Sequence, residues 1–405
     1  MKKKLRFIAS VLVPVVMITM GCSTASGAST SGKATGKPIT IGGIGDLTGA
    51  GSSPQPTQGL QAYAKYLNSH GGIGGHPLKF ISCDGALDPN LFISCARSLV
   101  SNNAVIASSD LGGVNFSVSD PILATAGVGV VNSNAVTSPE FAAPNAVITT
   151  GGVPASLGAL VKYFYETKHI KSIAFTSVTG PGSQIQAIVD SFAKPLGITV
   201  TPFLYPTTTT DFTATATAMA ASGAGLILGA TPVQGVGSIL LALKAAGNTI
   251  PVSFFDTSIT PAAIKQAGSA SNGLYTTSAF PTPHTATGQD KQELVAYAAG
   301  MRAIGQPTGS GSLQGWATGL LLTNLIEQAG GVKATRASVL NALQNGSMNH
   351  VPLFPAHLSR AAGMSTAPPV SAFAALINPS DFIGEYHNEV FSIIPGVGRV
   401  NPFKP

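Results

Sequence analysis

The sequence predicts an α/β protein of two lobes, each a parallel sheet covered by helices on both faces. Three observations lead there. Short apolar runs of strand length alternate with amphipathic runs of helix length from residue 39 almost to residue 280, which is the pattern of strand–helix–strand units and not of hairpins. The alternation pauses at the extended, glycine-containing stretch 149–154 and then starts again. A chain of 405 residues also exceeds what one hydrophobic core usually serves.

The first 21 residues read as a signal peptide. Lys2, Lys3, Lys4 and Arg6 form a basic start, and residues 7–20 form an uncharged, largely apolar stretch too short to span a bilayer. It stops at Gly21-Cys22, which resembles a bacterial lipobox and makes Cys22 the expected lipidation site. Residues 22–37 are rich in Ser, Thr, Ala and Gly with no large apolar side chain, so they are expected to form a flexible tether between lipid and folded protein. Six of the 22 basic residues lie in this leader and tether, where there is no acid, leaving 16 basic against 16 acidic residues in the rest. The formal charge of +6 is therefore no sign of a nucleic-acid partner.

Strands are expected at 39–44, 78–82, 104–107 and 128–132, with helices at 58–69, 89–101 and 116–126 between them. The second run has helices at 156–167, 183–195, 212–221 and 233–246, and strands at 172–176, 198–201, 225–229 and 251–255. Asp88 and Pro89 suit the cap and first position of the second helix. Crossovers between lobes are placed at 149–154, at 273–283 and somewhere in 345–354. The first lobe thus comprises 38–150 and 282–347, and the second 151–281 and 348–405. Residues 314–331, QGWATGLLLTNLIEQAGG, carry helical apolar spacing with a Gly-Gly stop, and Trp316 is expected to be a core anchor. Residues 386–396 read as weak strand material, and 351–369 has no assignment.

With Cys22 lipidated, Cys83 and Cys95 remain as a pair, either joined as a disulfide or buried as two thiols; export favours the disulfide. Reactive constellations are missing: there is no G-x-S-x-G, H-E-x-x-H, C-x-x-C or Walker A pattern, and Thr48 stands where a dinucleotide fingerprint begun at Gly43 needs glycine. His70 and His76 lack nearby acidic or cysteine partners, so no metal site and no cofactor are expected.

What the sequence does offer is a set of polar loops at strand carboxyl ends, where ligands bind in open parallel sheets. Asp46 and Thr48 follow the first strand, Ser108, Ser109 and Gly113 the third, and Ser133, Ala135 and Thr137 the fourth. In the second lobe Thr179, Thr231 and Asp256 hold the equivalent places. Turning the chain is an ordinary use for such loops, so the set as a whole carries more weight than any single member.

Residues 41–88, IGGIGDLTGAGSSPQPTQGLQAYAKYLNSHGGIGGHPLKFISCDGALD, show a strand, an LTG loop, a helix ending in N..GGI.G and a strand ending near Asp. In order and spacing this resembles the first unit of the branched-chain amino acid-type (leucine-binding-protein-like) solute-binding proteins of ABC transporters. The helix at 314–331 is similar to another of that family, and the likeness covers roughly residues 39–344. It implies a type I periplasmic binding fold with three crossover hinge strands. It also implies an α-carboxylate held by Ser108, Ser109, Gly113, Ser133, Ala135 and Thr137, and an ammonium group held by Asp256. Where members that take aliphatic amino acids place aromatic side chains, this chain has Ser52, Ser53, Pro54, Thr179 and Thr231, which turns the expectation toward a smaller or more polar solute.

The expected protein is thus a non-enzymatic, monomeric solute receptor at the outer face of the cytoplasmic membrane or in the periplasm. Its partners are a small solute, such as an amino acid or a related amide or carboxylate, and the permease subunits. A sensory domain sharing the fold and an envelope hydrolase are the alternatives.

Overall fold

The first lobe grows around the strand β1 (Ile39–Gly45), whose seven residues are all buried. After α1 (Gln55–Ser69) the chain returns as β2 (Leu78–Asp84), then α2 (Pro89–Ser101), β3 (Val105–Asp110), α3 (Phe116–Thr125), β4 (Gly129–Asn132), the short α4 (Ser138–Ala142) and β5 (Ala146–Ile148). These strands form one parallel sheet in the order β2-β1-β3-β4-β5. In this computed structural model the described residues are 32–49, 52–112, 115–133, 135, 138–231, 235–360 and 373–404. The leader with Cys22, the expected lipidation site, and also Gly113 and Thr137, lie outside them. No described helix is long and apolar enough to cross a membrane.

The chain then enters the second lobe through α5 (Gly152–Lys168), followed by β6 (Ser172–Val178), α6 (Pro181–Ala193), β7 (Thr199–Tyr205), α7 (Thr213–Ala220), β8 (Leu226–Ala230), α8 (Val236–Ala245), β9 (Val252–Phe254), α9 (Pro261–Ala267) and β10 (Leu274–Ser278). It goes back to the first lobe for α10 (Gly288–Ala303), α11 (Ser310–Gln328), α12 (Arg336–Asn345) and a two-stranded pair, β11 (Met348–Asn349) with β12 (His357–Leu358). β13 (Asp381–His387), β14 (Val390–Ile393) and β15 (Arg399–Val400) finish the second sheet, whose order is β14-β13-β10-β9-β8-β6-β7 with β15 also on β13. That sheet is not wholly parallel: β13 runs antiparallel to β10, β14 and β15. The short links from β13 to β14 and on to β15 leave no room for a crossover helix, so these strands pair antiparallel.

The first core gathers Ile41, Leu60, Trp316 and Leu322 between sheet and helices, and the second gathers Leu157, Phe164, Phe175 and Leu228 on one sheet face with Ile227, Ile239 and Phe254 on the other. Trp316 is fully buried and donates its indole N–H to Glu293 at 2.6 Å, so it anchors the core as its spacing predicts. α1 and α11 pack closely because both present glycine: a Cβ at Gly59 would collide with the Ser312 carbonyl, and one at Gly315 with that of Pro56.

Two boundaries differ from the sequence reading. Residues 34–36, assigned to the tether, already belong to the folded body: the Ala34 amide bonds to the Asn68 carbonyl and those of Thr35 and Gly36 to that of Gly75. The third crossover does not lie in 345–354. Met348, Val351, Leu353, Phe354 and Leu358 are all buried in the first-lobe core, and burying five apolar side chains there outweighs an early exit. The chain passes over at residues 377–381, after Leu376 bridges Ile148 beside the first crossover.

Candidate functional site

α11 of the first lobe runs against the turn Asp256–Ser258, which follows β9 of the second. In the first sheet the strand order reverses between β1 and β3, the topological switch point at which open sheets bind ligands.

At the end of β1, Asp46 is 3 % exposed and accepts the Leu87 amide at 2.8 Å. The Thr48 hydroxyl is engaged by Asp84, donating to it at 2.6 Å. Asp84 closes β2 and also accepts the amides of Leu47 and Ala86, each at 2.9 Å. Burial raises the pKa of Asp84, but these hydrogen bonds outweigh it and hold the carboxyl below its usual range. Asp46 goes the other way, raised mainly by burial and also by the charge of Asp84. Together the two carboxylates grip Ala86 and Leu87, two consecutive non-glycine residues with φ of 45° and 60°. Backbone of that kind persists only where its surroundings hold it.

Ser108 and Ser109 are not in a loop. β3 runs on to Asp110, so both are strand residues, 0 % and 1 % exposed, paired across from Val130 and Val131. The Ser109 hydroxyl donates to the Gly42 carbonyl at 3.3 Å, while that of Ser108 has no partner. The acid at the strand end is Asp110, which accepts the Gly112 amide and the Asn132 side-chain amide. Burial, with the nearby Glu140, Asp46 and Asp120, pushes it well above the carboxylate range. Ser133, at the end of β4, has an unpartnered hydroxyl, while its carbonyl takes the hydroxyls of Thr149 and Thr150. Ala135 is fully buried among Phe141, Ile148 and Leu376, so its methyl faces the hinge core and not the cleft.

In the second lobe Thr179 is exposed beyond β6 and Thr231 is buried at the end of β8. Asp256 is part-exposed yet crowded by protein. Burial pushes it up to about 6, against the Thr257 amide that its own carboxylate accepts at 2.8 Å. A second acid, Asp381, lies near it at the start of β13, 3 % exposed with one oxygen unpartnered. Its pKa rises to about 7, mainly by burial and then by the charge of Asp256, with Arg399 and Thr277 opposing. Arg399 donates to the carbonyls of Ala279, Ser380 and Leu353 at 2.9, 3.1 and 3.0 Å, so one guanidinium joins two crossovers to the first-lobe hairpin. Burial draws it down to about 10.

Asp84, Asp381 and Arg399 escaped the sequence reading. Asp84 had a signal, an acid at a strand end before Gly85; the other two sit in the C-terminal segment, where no pattern marked them. Among the described residues there is no group of three or more metal-ligating side chains. The described strand ends present hydroxyls, amides and carboxylates, groups suited to holding a small polar molecule by hydrogen bonds and charge.

A periplasmic binding protein family model matches residues 38–368. No curated protein sequence matches. Among solved structures, a fatty acid ABC transporter substrate-binding protein from Thermomonospora curvata is similar at 18 % identity and a TM-score of 0.73, over 90 % of this chain and 94 % of that one. The branched-chain amino acid transporter substrate binding protein LivJ from Streptococcus pneumoniae, in complex with isoleucine, is similar at 17 % identity and 0.71, over 88 % and 98 %. The leucine binding protein LivK from Thermotoga maritima gives 16 % and 0.70, over 90 % and 99 %. At such identities the likeness is one of fold, and the ligands of these three proteins differ among themselves. The match over most of its length shows that this chain belongs to the periplasmic binding protein family.

Proposed function

We propose that this protein is the extracytoplasmic solute-capturing component of an ABC importer, taking an amino acid or a similarly small polar solute between its lobes and presenting the closed form to a permease. The observation that carries this reading is the contact between lobes at a strand end, with the Asp256 turn of the second lobe set beside α11 of the first. In this reading Asp256 receives the ammonium group of the solute, and the loops after β1, β3 and β4 receive its polar remainder. Ser and Thr in place of a large apolar wall favour a small or polar solute over a leucine-like one. Cys22 carries the lipid that keeps the protein at the membrane, and the permease subunits are its partners.

Native mass spectrometry of the purified folded domain tests solute capture. A small non-covalent mass that is lost on denaturation, and that rebinds when added back to stripped protein, is the expected result. Stripped protein that binds no member of an amino acid and amide library in calorimetry would remove the reading. Lipidation is tested by metabolic labelling with a palmitate analogue, which should mark the wild type and not Cys22→Ser.

A further inference from the structure

A hollow of about 210 Å³ opens at the carboxyl edge of the second sheet, away from Asp256. Its walls include Val178, Tyr205, Thr209, Phe212, Gly235 and Ser238, and none of its lining side chains is charged. By volume it holds about seven waters. Tyr205 is 4 % exposed and its ring is fixed edge-on against Phe212, with centroids 4.9 Å apart. Its buried hydroxyl makes no well-formed hydrogen bond. The hydroxyl of Thr231, 6 % exposed, lies close enough to ease the ionisation of Tyr205, yet it too lacks a partner of good geometry. A bond between the two would leave one hydroxyl proton and further lone pairs free, which another polar atom could engage.

The hollow also meets the start of α8, a helix of 10 residues whose N-cap, Gly235, has no capping side chain. Backbone amides at such a start point outward and favour an electron-rich partner. The Ser238 hydroxyl accepts from Gln266 at 3.0 Å and keeps its own proton to give. Tyr205, Ser238 and the start of α8 thus border one space, no cation or carboxylate is among its described lining, and Val178 and Phe212 supply an apolar side.

We propose that this hollow is a binding subsite for an oxygen acceptor, a carbonyl or carboxylate, on a small organic molecule with a short apolar portion. It adds to the solute-capture reading a second anchoring point on the second lobe. Three inter-strand spacings separate β7 from β9, about 14 Å, so a solute that reached both Tyr205 and Asp256 would be an extended one.

The test uses propionate, its neutral isostere propanamide and the charge-reversed propylammonium, each titrated into the folded domain with threonine methyls labelled for NMR. Propionate or propanamide should shift the methyls of Thr207, Thr209 and Thr210 saturably, and propylammonium should not. A preference for propionate assigns a carboxylate, and parity assigns a carbonyl. Tyr205→Phe should weaken binding about tenfold, the effect of one hydrogen bond. Thr209→Trp, which fills the hollow from the surface, should abolish it, as should Ser238→Leu. Absence of saturable shifts with either acceptor, equal shifts with propylammonium, or shifts that survive both filling variants would overturn the proposal. Because the probes are small and read locally, that failure would leave capture of a solute at Asp256 standing, and failure at Asp256 would leave this result standing.

Discussion

Asp256 and Asp381 set the charge balance of the second-lobe face, and they do so at some expense to the fold. Both carboxyls are pushed above the ordinary value, to about 6 and about 7, so the folded state binds protons that the unfolded chain releases above about pH 4. Their joint contribution is fully present below about pH 4 and is lost as pH rises through about 6 to 7. Solute-free protein should therefore show a falling melting temperature across that window, and Asp381→Asn should flatten the fall. An unchanged slope in the variant would mean that Asp381 does not titrate there. A solute ammonium reverses the argument at Asp256, since it favours the ionised form. Asp256→Ala should weaken binding of an amine-bearing solute by about 2–5 kcal/mol, measured by calorimetry. The melting temperature of the solute-free variant should hold or rise, because only the local bond to the Thr257 amide is lost. If instead stability drops and affinity holds, Asp256 is a turn residue and no more.

At the scale of elements, the loop after β1 is built from its neighbours. Cys83 and Cys95 are joined, with Cα atoms 5.7 Å apart, tying the end of β2 to α2. The next residue is Asp84, which holds Leu47, Thr48 and Ala86. The exported domain should show near-zero free thiol. Cys83→Ala with Cys95→Ala should lower stability by about 3 kcal/mol for a loop of this length, seen as a lower denaturant midpoint, with an equal or steeper slope as the unfolded chain expands. Full stability in the double variant would show that packing of α2 alone suffices. Most of these elements were legible in the sequence: α2 and the start of β1 fall where periodicity and the Asp88-Pro89 cap place them. Strand ends were less so. β3 runs three residues past its expected end, because Ser108, Ser109 and Asp110 look like a loop in sequence but are strand once Val130, Val131 and Asn132 pair with them. Pairing across a sheet is a long-range fact that local polarity hides. The same holds for residues 348–358, whose apolar side chains give no hint of which lobe they fill.

At the scale of the molecule, the lobes are joined by three crossings, and Arg399 touches two of them as well as Leu353 of the first lobe. Leu353 is held from both ends, its amide donating to Asp290 at 2.6 Å and its carbonyl accepting from Arg399, with φ of 73°. This arrangement makes Arg399 a positioning residue for the hinge. Spin labels at Val295→Cys and Leu241→Cys, exposed sites on α10 and α8, report the distance between lobes. Arg399→Gln should broaden that distribution in solute-free protein while each lobe keeps its core; an unchanged distribution would confine Arg399 to local packing. The same label pair gives the most direct test of the central claim, that two lobes close on a small solute. Measured with and without pooled amino acids and small amides, the wild-type protein should move to a shorter and narrower distance in at least one pool, and Asp256→Ala should prevent the change for amine-bearing solutes. A distance distribution that no pool alters would contradict the account.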